Sequence, residues 1–449
     1  MHAITAYLPS TKNLTFNITL IALAAVICVL LVAVKSHAID AFGATPLLVG
    51  YTIFVTTFEL SRIVSAMFYK QSYASLLLGG RPDIRSRDAG LLANYAYEPQ
   101  VTFVIPCKNE EGAIRKTISQ CFLADYPAEK IEVIVINDGS TDRTGAILDE
   151  LATEYQNLVV IHWKVNRGKR HGMAEGFKRA RGEIIVQLDS DSYIVPDTFR
   201  QLIRPFENAK IGAVCAHADP ENIDTNVLTK MQAAYYFMSF RILKAAESTY
   251  GAVFCCSGCS SAYRKDIVLP IMDEWLGETF LGLPVTWGDD RGLTNWVLKR
   301  GYRTVYTDEA LARTIVPETL KQFLKQQVRW KKGWLVNSIF ASKFILRKEP
   351  FVSVVYFFPL VLVTLLTPFM ATRAIIVTPF MQGQAFYLVF YMLGVLLVAG
   401  LILLYYRHVA RDNVYWPYLF LWAIINMLLL SFLLFYALAT IQNRRWGTR

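Results

Sequence analysis

Three acidic motifs in one polar stretch of the chain have the residue types and the order that a site for a nucleotide and a metal ion requires. They are Asn137-Asp138-Gly139, Asp189-Ser190-Asp191 and Gly288-Asp289-Asp290, and the run Gln326-Gln327-Val328-Arg329-Trp330 follows them. Alternate carboxylates in an extended turn can share one hard divalent cation and leave positions for diphosphate oxygens. A further carboxylate can act as a general base.

The second and third motifs provide the predicted metal ligands, Asp189 and Asp191, and the predicted base, Asp290. Transfer of a sugar from an α-linked nucleotide donor with inversion needs one carboxylate to deprotonate the acceptor, because no covalent intermediate forms. Structural explanations remain open: Asp191 can cap a helix near Pro196, and Asp289 can cap a helix over 293–299. The capping and ligand roles of Asp191 can coexist.

The first motif and a basic loop provide candidate contacts to the nucleotide. Asp138 can accept a hydrogen bond from a pyrimidine imide, although Asp-Gly is also common in plain turns. The loop 168–172 brings Lys169 and Arg170 to flexible backbone, which suits a diphosphate. A solvated basic loop is the alternative interpretation there.

Gln326, Arg329 and Trp330 are spaced i, i+3 and i+4, so a helix would place them on one face. Gln and Arg can contact a diphosphate, and the Trp ring offers a stacking surface for the apolar face of a sugar. Lysines surround the three residues, which also indicates a basic helix at a membrane interface. We expect the helix to be interfacial and to carry the site.

Short apolar strands and helices that alternate must position these motifs. Strands are predicted over 101–106, 131–136, 159–162 and 184–188, and helices over 111–123, 141–155, 172–180 and 293–299. This order predicts a doubly wound, Rossmann-like parallel sheet. Ligands of such sheets bind beyond the carboxyl ends of the strands, where Asp138 and Asp189 stand.

The two ends of the chain are apolar enough to cross a membrane. Hydrophobic residues make up 54% of the 449 residues and charged residues 18%. Spans are predicted at about 18–34, 46–69, 351–371 and 385–405, with an aromatic-rich stretch over 415–439. Glu59 and Arg62 share a face of the second span and should face protein or water, and a snorkelling pair near the helix end is an equal alternative.

The net charge of +10 is concentrated next to the predicted spans, which predicts a cytosolic middle domain in a multi-pass protein of the plasma membrane. Because the basic residues follow the membrane segments rather than one soluble face, nucleic acid is not expected as a partner. The seven cysteines are expected to be free in the cytosol. Cys255, Cys256 and Cys259 are not matched by a second ligand pair, so they predict packing rather than zinc binding.

The combined motifs resemble those of family-2 processive glycosyltransferases with a GT-A fold, and more closely those of the bacterial-type (class I) hyaluronan synthases. The similarity covers nearly the whole chain. Its most specific stretches are 168–171, 188–194, 280–285, 288–295, 325–330 and the terminal Trp446-Gly447-Thr448-Arg449. It implies a GT-A catalytic domain over 95–316 between all-α membrane regions at 1–94 and 349–449, with amphipathic interfacial helices over 317–348.

The resemblance also implies roles for individual residues. Asp138 would bind uracil, Asp191 would bind Mg²⁺ or Mn²⁺, and Asp290 would be the base. The expected UDP-binding set is Pro106, Lys108, Glu110, Asp138, Lys169, Arg170, Asp189, Gln326 and Arg329. The expected acceptor-binding set is Trp330, Asp289, Cys256 and Ser257, and Trp446, Thr448 and Arg449 would gate the bound nucleotide.

The predicted activity is polymerisation of UDP-GlcNAc and UDP-GlcA into hyaluronan, with export of the growing polysaccharide through the bilayer. Hyaluronan synthases usually read Ser-Gly-Pro-Leu where this chain has Ser257-Gly258-Cys259-Ser260. The run 254–259 is more similar to rhizobial chitin-oligosaccharide synthases. A chitin-type product from UDP-GlcNAc alone is therefore the alternative. A non-processive glycolipid transferase and a non-enzymatic transporter are the weaker alternatives.

If the terminal motif contacts cytosolic nucleotide, the stretch 415–439 must be interfacial or re-entrant rather than a fifth crossing. Four spans form a narrow bundle, and a homodimer is one way to complete a pore.

Overall fold

The computed structural model describes residues 11–42, 46–70, 72–73, 97–410 and 413–443. The predicted boundary at 94/95 and the terminal motif 446–449 lie outside these ranges. Within them, the α-helices of seven residues or more are α1 (Thr11–Phe42), α2 (Pro46–Met67), α3 (Ile114–Phe122), α4 (Thr144–Glu154), α5 (Lys169–Arg179), α6 (Val227–Met238), α7 (Asp289–Lys299), α8 (Leu320–Ser342), α9 (Phe358–Thr372), α10 (Phe386–Val409), α11 (Tyr418–Ile425) and α12 (Leu433–Ala439).

The central domain is built on an eight-stranded sheet in the order β3-β2-β1-β4-β7-β6-β10-β5, with β8 and β9 forming a separate hairpin. The strands are β1 (Val101–Cys107), β2 (Ile131–Asp138), β3 (Leu158–Trp163), β4 (Ile184–Gln187), β5 (Ser192–Ile194), β6 (Ile211–Pro220), β7 (Ser261–Arg264), β8 (Thr279–Phe280), β9 (Leu283–Pro284) and β10 (Arg303–Thr314).

The first four strands form where the sequence predicts them. Every residue of β1, β2 and β4 is buried, because helices cover both faces of this parallel part of the sheet. Asp138 is the last residue of β2, and Asp189 lies two residues beyond the end of β4. Both therefore stand at the same edge of the sheet, as the topology rule requires.

The sequence predicts a purely parallel sheet, but the observed sheet is mixed. Strand β7 runs antiparallel to both β4 and β6, and β5 runs antiparallel to β10. Strands β5 and β7 carry no strong sequence signal, since they are only three and four residues long and contain polar residues. The reversal at β7 follows the cysteine-containing loop and returns that loop to the edge where Asp189 lies.

Among the described residues, four helical stretches are long and apolar enough to cross a membrane, namely Thr15–Val34, Pro46–Met67, Pro350–Met381 and Tyr387–Val409. The third continues ten residues beyond the predicted end at 371, through a π-helical segment at Arg373–Met381. A further pair, Tyr418–Leu430 and Leu433–Ala439, is bent by 41° and can be a broken span or a re-entrant loop. The interfacial or re-entrant assignment of 415–439 stays a prediction.

The Glu59–Arg62 pair faces the interior of the protein rather than snorkelling outward. The two side chains form an ion pair, and only 9% of the Arg62 side chain is exposed. The Arg62 guanidinium also lies 5.0 Å from the centre of the Phe58 ring. Of the two interpretations that the sequence left open, the structure supports the pair that faces protein.

Candidate active site

One cavity of about 1720 Å³ brings the predicted motifs together. Its walls include residues from the carboxyl edge of the sheet, from α7 and α8, and from the helices that can cross a membrane. The predicted site residues that line it are Pro106, Lys108, Glu110, Asp138, Lys169, Arg170, Asp189, Asp191, Ser257, Asp289, Asp290, Gln326, Arg329 and Trp330. Their individual roles stay predictions, but their convergence on one cavity is observed.

Asp138 is held by the backbone of the loop that precedes α5. Its Oδ1 accepts a hydrogen bond from the Arg167 amide at 2.6 Å and its Oδ2 accepts one from the Gly168 amide at 2.9 Å. Gly168 has a φ of 95°, a backbone conformation that side-chain-bearing residues rarely adopt. Each carboxylate oxygen keeps a second lone pair, so Asp138 can still accept from a base edge.

Asp189 forms an ion pair with Lys169, the first residue of α5. Burial alone would raise the pKa of Asp189, but the Lys169 ammonium more than offsets this effect and holds that pKa below its usual value. Asp191 accepts a hydrogen bond from the Ser192 hydroxyl at 3.2 Å and lines the cavity. The second motif therefore presents carboxylate oxygens at the cavity wall, next to a cation.

The donor set fits a hard divalent cation that is shared with a substrate. In the described ranges, no cluster of three or more His, Cys, Asp or Glu side chains is arranged to hold a metal. Asp189 and Asp191 are instead two oxygen donors beside an open cavity. Mg²⁺ is commonly bound by one or two carboxylates, with waters and substrate phosphates completing the coordination. These two residues match that pattern.

The backbone of Gly258 joins the second motif to the third. The Asp189 amide donates to the Gly258 carbonyl at 3.0 Å, and the Gly258 amide donates to Oδ2 of Asp290 at 3.2 Å. The Cys255 thiol also approaches Oδ2 of Asp290, at 3.6 Å. Because the backbone of this one residue contacts both Asp189 and Asp290, Asp290 lies beside the DxD motif rather than on another side of the domain.

Cys256 does not line the cavity, contrary to its predicted contact with an acceptor. Its side chain is fully buried, and its amide donates to the Thr294 hydroxyl of α7 at 2.9 Å. Cys255 and Ser257, on either side of it, line the cavity instead. The loop therefore turns the Cys256 side chain away from the space that its two neighbours border.

Asp289 is buried beside Asp290 and is only 3% exposed. Burial raises the pKa of Asp289 to about 6, although the nearby Lys169 and Arg170 partly oppose the rise. Its Oδ1 has no hydrogen-bond partner among the described residues and lies 3.9 Å from Nε of Arg170. A buried carboxylate oxygen that has no hydrogen-bond partner and lies at a cavity wall is suited to accept a hydrogen bond from a ligand hydroxyl.

Arg170 has partners different from those expected of a diphosphate ligand. Its guanidinium donates to the carbonyls of Val285 and Trp275 and to the carboxylate of Glu278. The group is 6% exposed and stacks at 4.3 Å over the Trp275 ring. Arg170 thus fixes the segment 275–285, which leads into the third motif, and its contact with UDP stays an untested prediction.

The α8 helix forms another part of the cavity wall. Gln326 is buried there, and its Oε1 is without a hydrogen-bond partner in the described part of the chain. The Trp330 ring lies 6.4 Å from the Tyr235 ring, which in turn stacks at 3.9 Å on Trp422 of α11. This aromatic row runs along the cavity wall from α8 towards the C-terminal helices.

Tyr235, Cys255 and Gly258 are cavity residues that the sequence analysis did not assign to the site. Tyr235 belongs to an aromatic pair in α6 that reads as ordinary core. In the sequence, Gly258 stands out only as part of the segment 257–260, which departs from a motif. A signal was available for Gly258, since a glycine between Ser257 and Cys259 suggests a close backbone approach.

The family comparison adds to this geometry. Residues 102–269 match the family described as Glycosyl transferase family 2. A hyaluronan synthase from Streptococcus pyogenes is 33% identical over 377 residues, which cover 79% of this chain and 86% of that protein. The chain belongs to glycosyltransferase family 2. It is a hexosyltransferase of the hyaluronan synthase type and, with its long apolar helices, a membrane protein.

Other relatives are described as N-acetylglucosaminyltransferases. One from Azorhizobium caulinodans is 29% identical over 354 residues, covering 78% of this chain and 87% of that protein. One from Neorhizobium galegae is 28% identical over 293 residues, covering 65% and 66%. This glycosyltransferase therefore resembles both groups that its sequence motifs indicated.

The fold comparison agrees with the predicted GT-A class. A mannosyltransferase from Pyrobaculum calidifontis, solved in complex with GDP-Man and Mn²⁺, has a TM-score of 0.55 at 19% identity, covering 87% of this chain and 100% of that one. At this identity the likeness concerns the fold. The predicted fold class, a GT-A domain with apolar helices, is confirmed.

Proposed function

We propose that this glycosyltransferase is a processive, inverting polysaccharide synthase that uses UDP-sugars and exports its product through the membrane. The observation that carries the proposal is the continuity of the cavity. The same space that borders Asp138, Asp191 and Asp290 also borders residues of α2, α9 and α10. An elongating chain could therefore leave the reaction centre directly between the apolar helices.

In the proposed reaction, Asp290 accepts the proton of the acceptor hydroxyl. The oxygen attacks the anomeric carbon of the donor sugar, and the bond to the diphosphate breaks, so that UDP leaves with the electron pair. The Gly258 amide fixes Oδ2 of Asp290 and the Arg291 amide fixes Oδ1, and the remaining lone pairs of the carboxylate accept the proton. Lys169 and Arg329, which line the cavity, offset the charge of the diphosphate.

A divalent cation, Mg²⁺ or Mn²⁺, would be held by Asp189 and Asp191. When bound, it would neutralise charge on the departing diphosphate. Asp138 would orient the uracil, because its carboxylate is already fixed by two amides. Asp289 and Gln326 would accept hydrogen bonds from the acceptor through Oδ1 and Oε1, the oxygens that have no partner among the described residues.

The proposed export path is lined mainly by hydroxyl and apolar side chains, with the Glu59–Arg62 pair at its side. Residues of the path include Tyr51, Thr52, Thr364, Thr367, Tyr391 and Val398. The orientation that the basic flanks predict places the catalytic domain in the cytosol. The bilayer and the growing polysaccharide are then both partners of the chain.

The preferred product is hyaluronan, made from UDP-GlcNAc and UDP-GlcA. A chitin-type product from UDP-GlcNAc alone is a second candidate, favoured by a specific observation. The loop that departs from the hyaluronan synthase pattern, 255–260, contacts the proposed base through Cys255 and Gly258. A difference in that loop can therefore alter which acceptor sugar is accommodated.

The test of the proposal uses the purified protein in lipid nanodiscs. The two UDP-sugars are offered to it separately and together. Polymer formed only with both sugars supports hyaluronan, and polymer from UDP-GlcNAc alone supports the chitin-type product. Short glycolipid products, or no release of UDP under any condition, would contradict a processive synthase.

A further inference from the structure

The N-terminal end of α7, which carries Asp289 and Asp290, rests directly on α8. Gly288 precedes α7 in the left-handed conformation, with a φ of 67°. A Cβ added to Gly333 of α8 would lie 3.0 Å from both Cα and N of Gly288. A Cβ on Gly288 would lie 3.1 Å from Cα of Gly333. The two backbones therefore touch where no side chain separates them.

Asn337, one turn further along α8, stabilises the contact between Gly288 and Gly333. Its Nδ2 donates to the Gly288 carbonyl at 3.2 Å and to the Gly333 carbonyl at 2.9 Å. Asn295 of α7 donates in return to the Asn337 carbonyl at 3.2 Å. Asn337 is 2% exposed, so water does not compete for these bonds. We call the set Gly288, Gly333 and Asn337 the glycine clasp.

The clasp lies on the same stripe of α8 as the predicted diphosphate and acceptor residues. Gln326, Trp330, Gly333 and Asn337 follow one another at intervals of four, three and four residues, which places them along one helix face. Gly288 is two residues before Asp290. The distance between Asp290 and the wall formed by Gln326 and Trp330 therefore depends on how closely Gly288 approaches Gly333.

We propose that the glycine clasp sets the position of the proposed base relative to the acceptor wall, and that Gly333 and Asn337 are positioning residues for transfer. The inference rests on the proposed function of Asp290. Most of the predicted nucleotide contacts are built elsewhere, from β1, β2, the loop 166–168 and the DxD motif, and α8 adds only Gln326 and Arg329. A change at the clasp should consequently affect turnover much more than nucleotide affinity.

The test compares Gly333→Ala with Gly400→Ala. Position 333 has no room for a methyl group, whereas a Cβ at Gly400 of α10 would meet nothing within 4 Å. In the full chain in nanodiscs, UDP release and polymer are measured with UDP-sugars, and the dissociation constant of UDP is measured separately. Gly333→Ala is expected to lower kcat about tenfold or more, with UDP affinity within twofold. Gly400→Ala is expected to match the unchanged protein.

Asn337→Asp is a second variant, which keeps the size of the side chain but removes its N–H donor. This variant should lower kcat less than Gly333→Ala does, again without weakening UDP binding. If Gly333→Ala does not fold, the kcat and the UDP affinity of Asn337→Asp test the inference. Unchanged kcat in a folded Gly333→Ala protein, or a parallel loss of kcat and UDP affinity, would overturn the inference. UDP release without polymer in the unchanged protein would instead refute processive synthesis, while the clasp could still be judged from UDP release.

Discussion

At the scale of single residues, two neighbouring carboxylates in α7 have different surroundings, which fit the different tasks proposed for them. Asp290 faces the cavity and accepts hydrogen bonds from Gly258 and Cys255. Asp289 is buried beside cations, and its pKa is raised to about 6. The division agrees with one group that accepts a proton and a second that shapes the pocket.

The raised pKa of Asp289 makes stability depend on pH. Because the folded-state pKa lies above the unfolded value, the protonated form is favoured by folding, and this stabilisation is lost as pH rises from about 4 through 6. The shift corresponds to about 2–3 kcal/mol. We expect Asp289→Asn to gain melting temperature relative to the unchanged protein between pH 4.5 and 7. A difference in melting temperature that is constant across this range would contradict the assignment.

Gly258 provides a second prediction at this scale. A Cβ there would lie 2.9 Å from Oδ1 of Asp189, so Gly258→Ala must displace either that carboxylate or the loop that holds Asp290. We expect a loss of transfer activity of about tenfold or more, measured as UDP release. Gly112→Ala is the matched control, since a Cβ at Gly112 meets nothing within 4 Å. Equal activities of the two variants would show that the Gly258 bridge is unimportant.

At the scale of elements, the hairpin β8–β9 and the segment before α7 depend on one buried guanidinium. Arg170 contacts Val285, Trp275 and Glu278 at once, and its planar fork suits three acceptors in different directions. A lysine ammonium at this position would be a single point charge and would not present the planar set of donors that reaches these three acceptors. The element that presents the third motif is therefore fixed from α5, the helix that also carries Lys169.

We expect Arg170→Lys to destabilise the fold by about 2–3 kcal/mol, because buried hydrogen bonds to a charged group are lost. The melting temperature should fall, while the dissociation constant of UDP should change little. Lys178→Arg, an exchange at an exposed position of the same helix, is the control. A large loss of UDP affinity at unchanged stability would favour the diphosphate contact that the sequence suggested.

The sequence predicted those elements that have a local pattern. Strands β1, β2 and β4 are buried apolar runs, and Asp138 and Asp189 follow from where those strands end. Strand β7 and the Gly258 bridge could not be predicted in this way, since both depend on contacts between segments at least 32 residues apart. The burial of Cys256 and the contact between Gly288 and Gly333 likewise depend on the approach of distant backbone, which leaves no periodic signal.

At the scale of the whole molecule, the soluble domain and the apolar helices share one cavity. Lys332 of α8 links the two parts, because its ammonium donates to the carbonyls of Thr440 and Asn443 just beyond α12. Trp422 of α11 packs against Met231 of α6 and Phe323 of α8. The C-terminal helices are thus bound to the walls of the site itself.

If the cavity is the export path, filling its membrane part should shorten the product. Gly394 of α10 lines the cavity, and we expect Gly394→Phe to reduce polymer length while UDP release on short acceptors continues. Gly400→Phe, on the same helix and with open space around it, is the control. Product of unchanged length from Gly394→Phe, measured on gels with radiolabelled sugars, would place the path elsewhere.

The predicted topology has both Asn443 and the catalytic domain in the cytosol. A cysteine placed at Asn443 should therefore react with a membrane-impermeant reagent only after sealed cells are opened. A cysteine at the exposed Gln382, between the third and fourth predicted spans, should react from outside. Labelling of position 443 from outside would make 415–439 a full crossing.

The most direct test of the account is Asp290→Asn, measured for sugar transfer and for UDP binding in the same preparation. If Asp290 is the base of a cavity whose nucleotide contacts lie on other elements, transfer should fall by about 10²–10⁴-fold. The dissociation constant of UDP should stay within twofold. Full transfer activity in this variant would contradict the proposed mechanism.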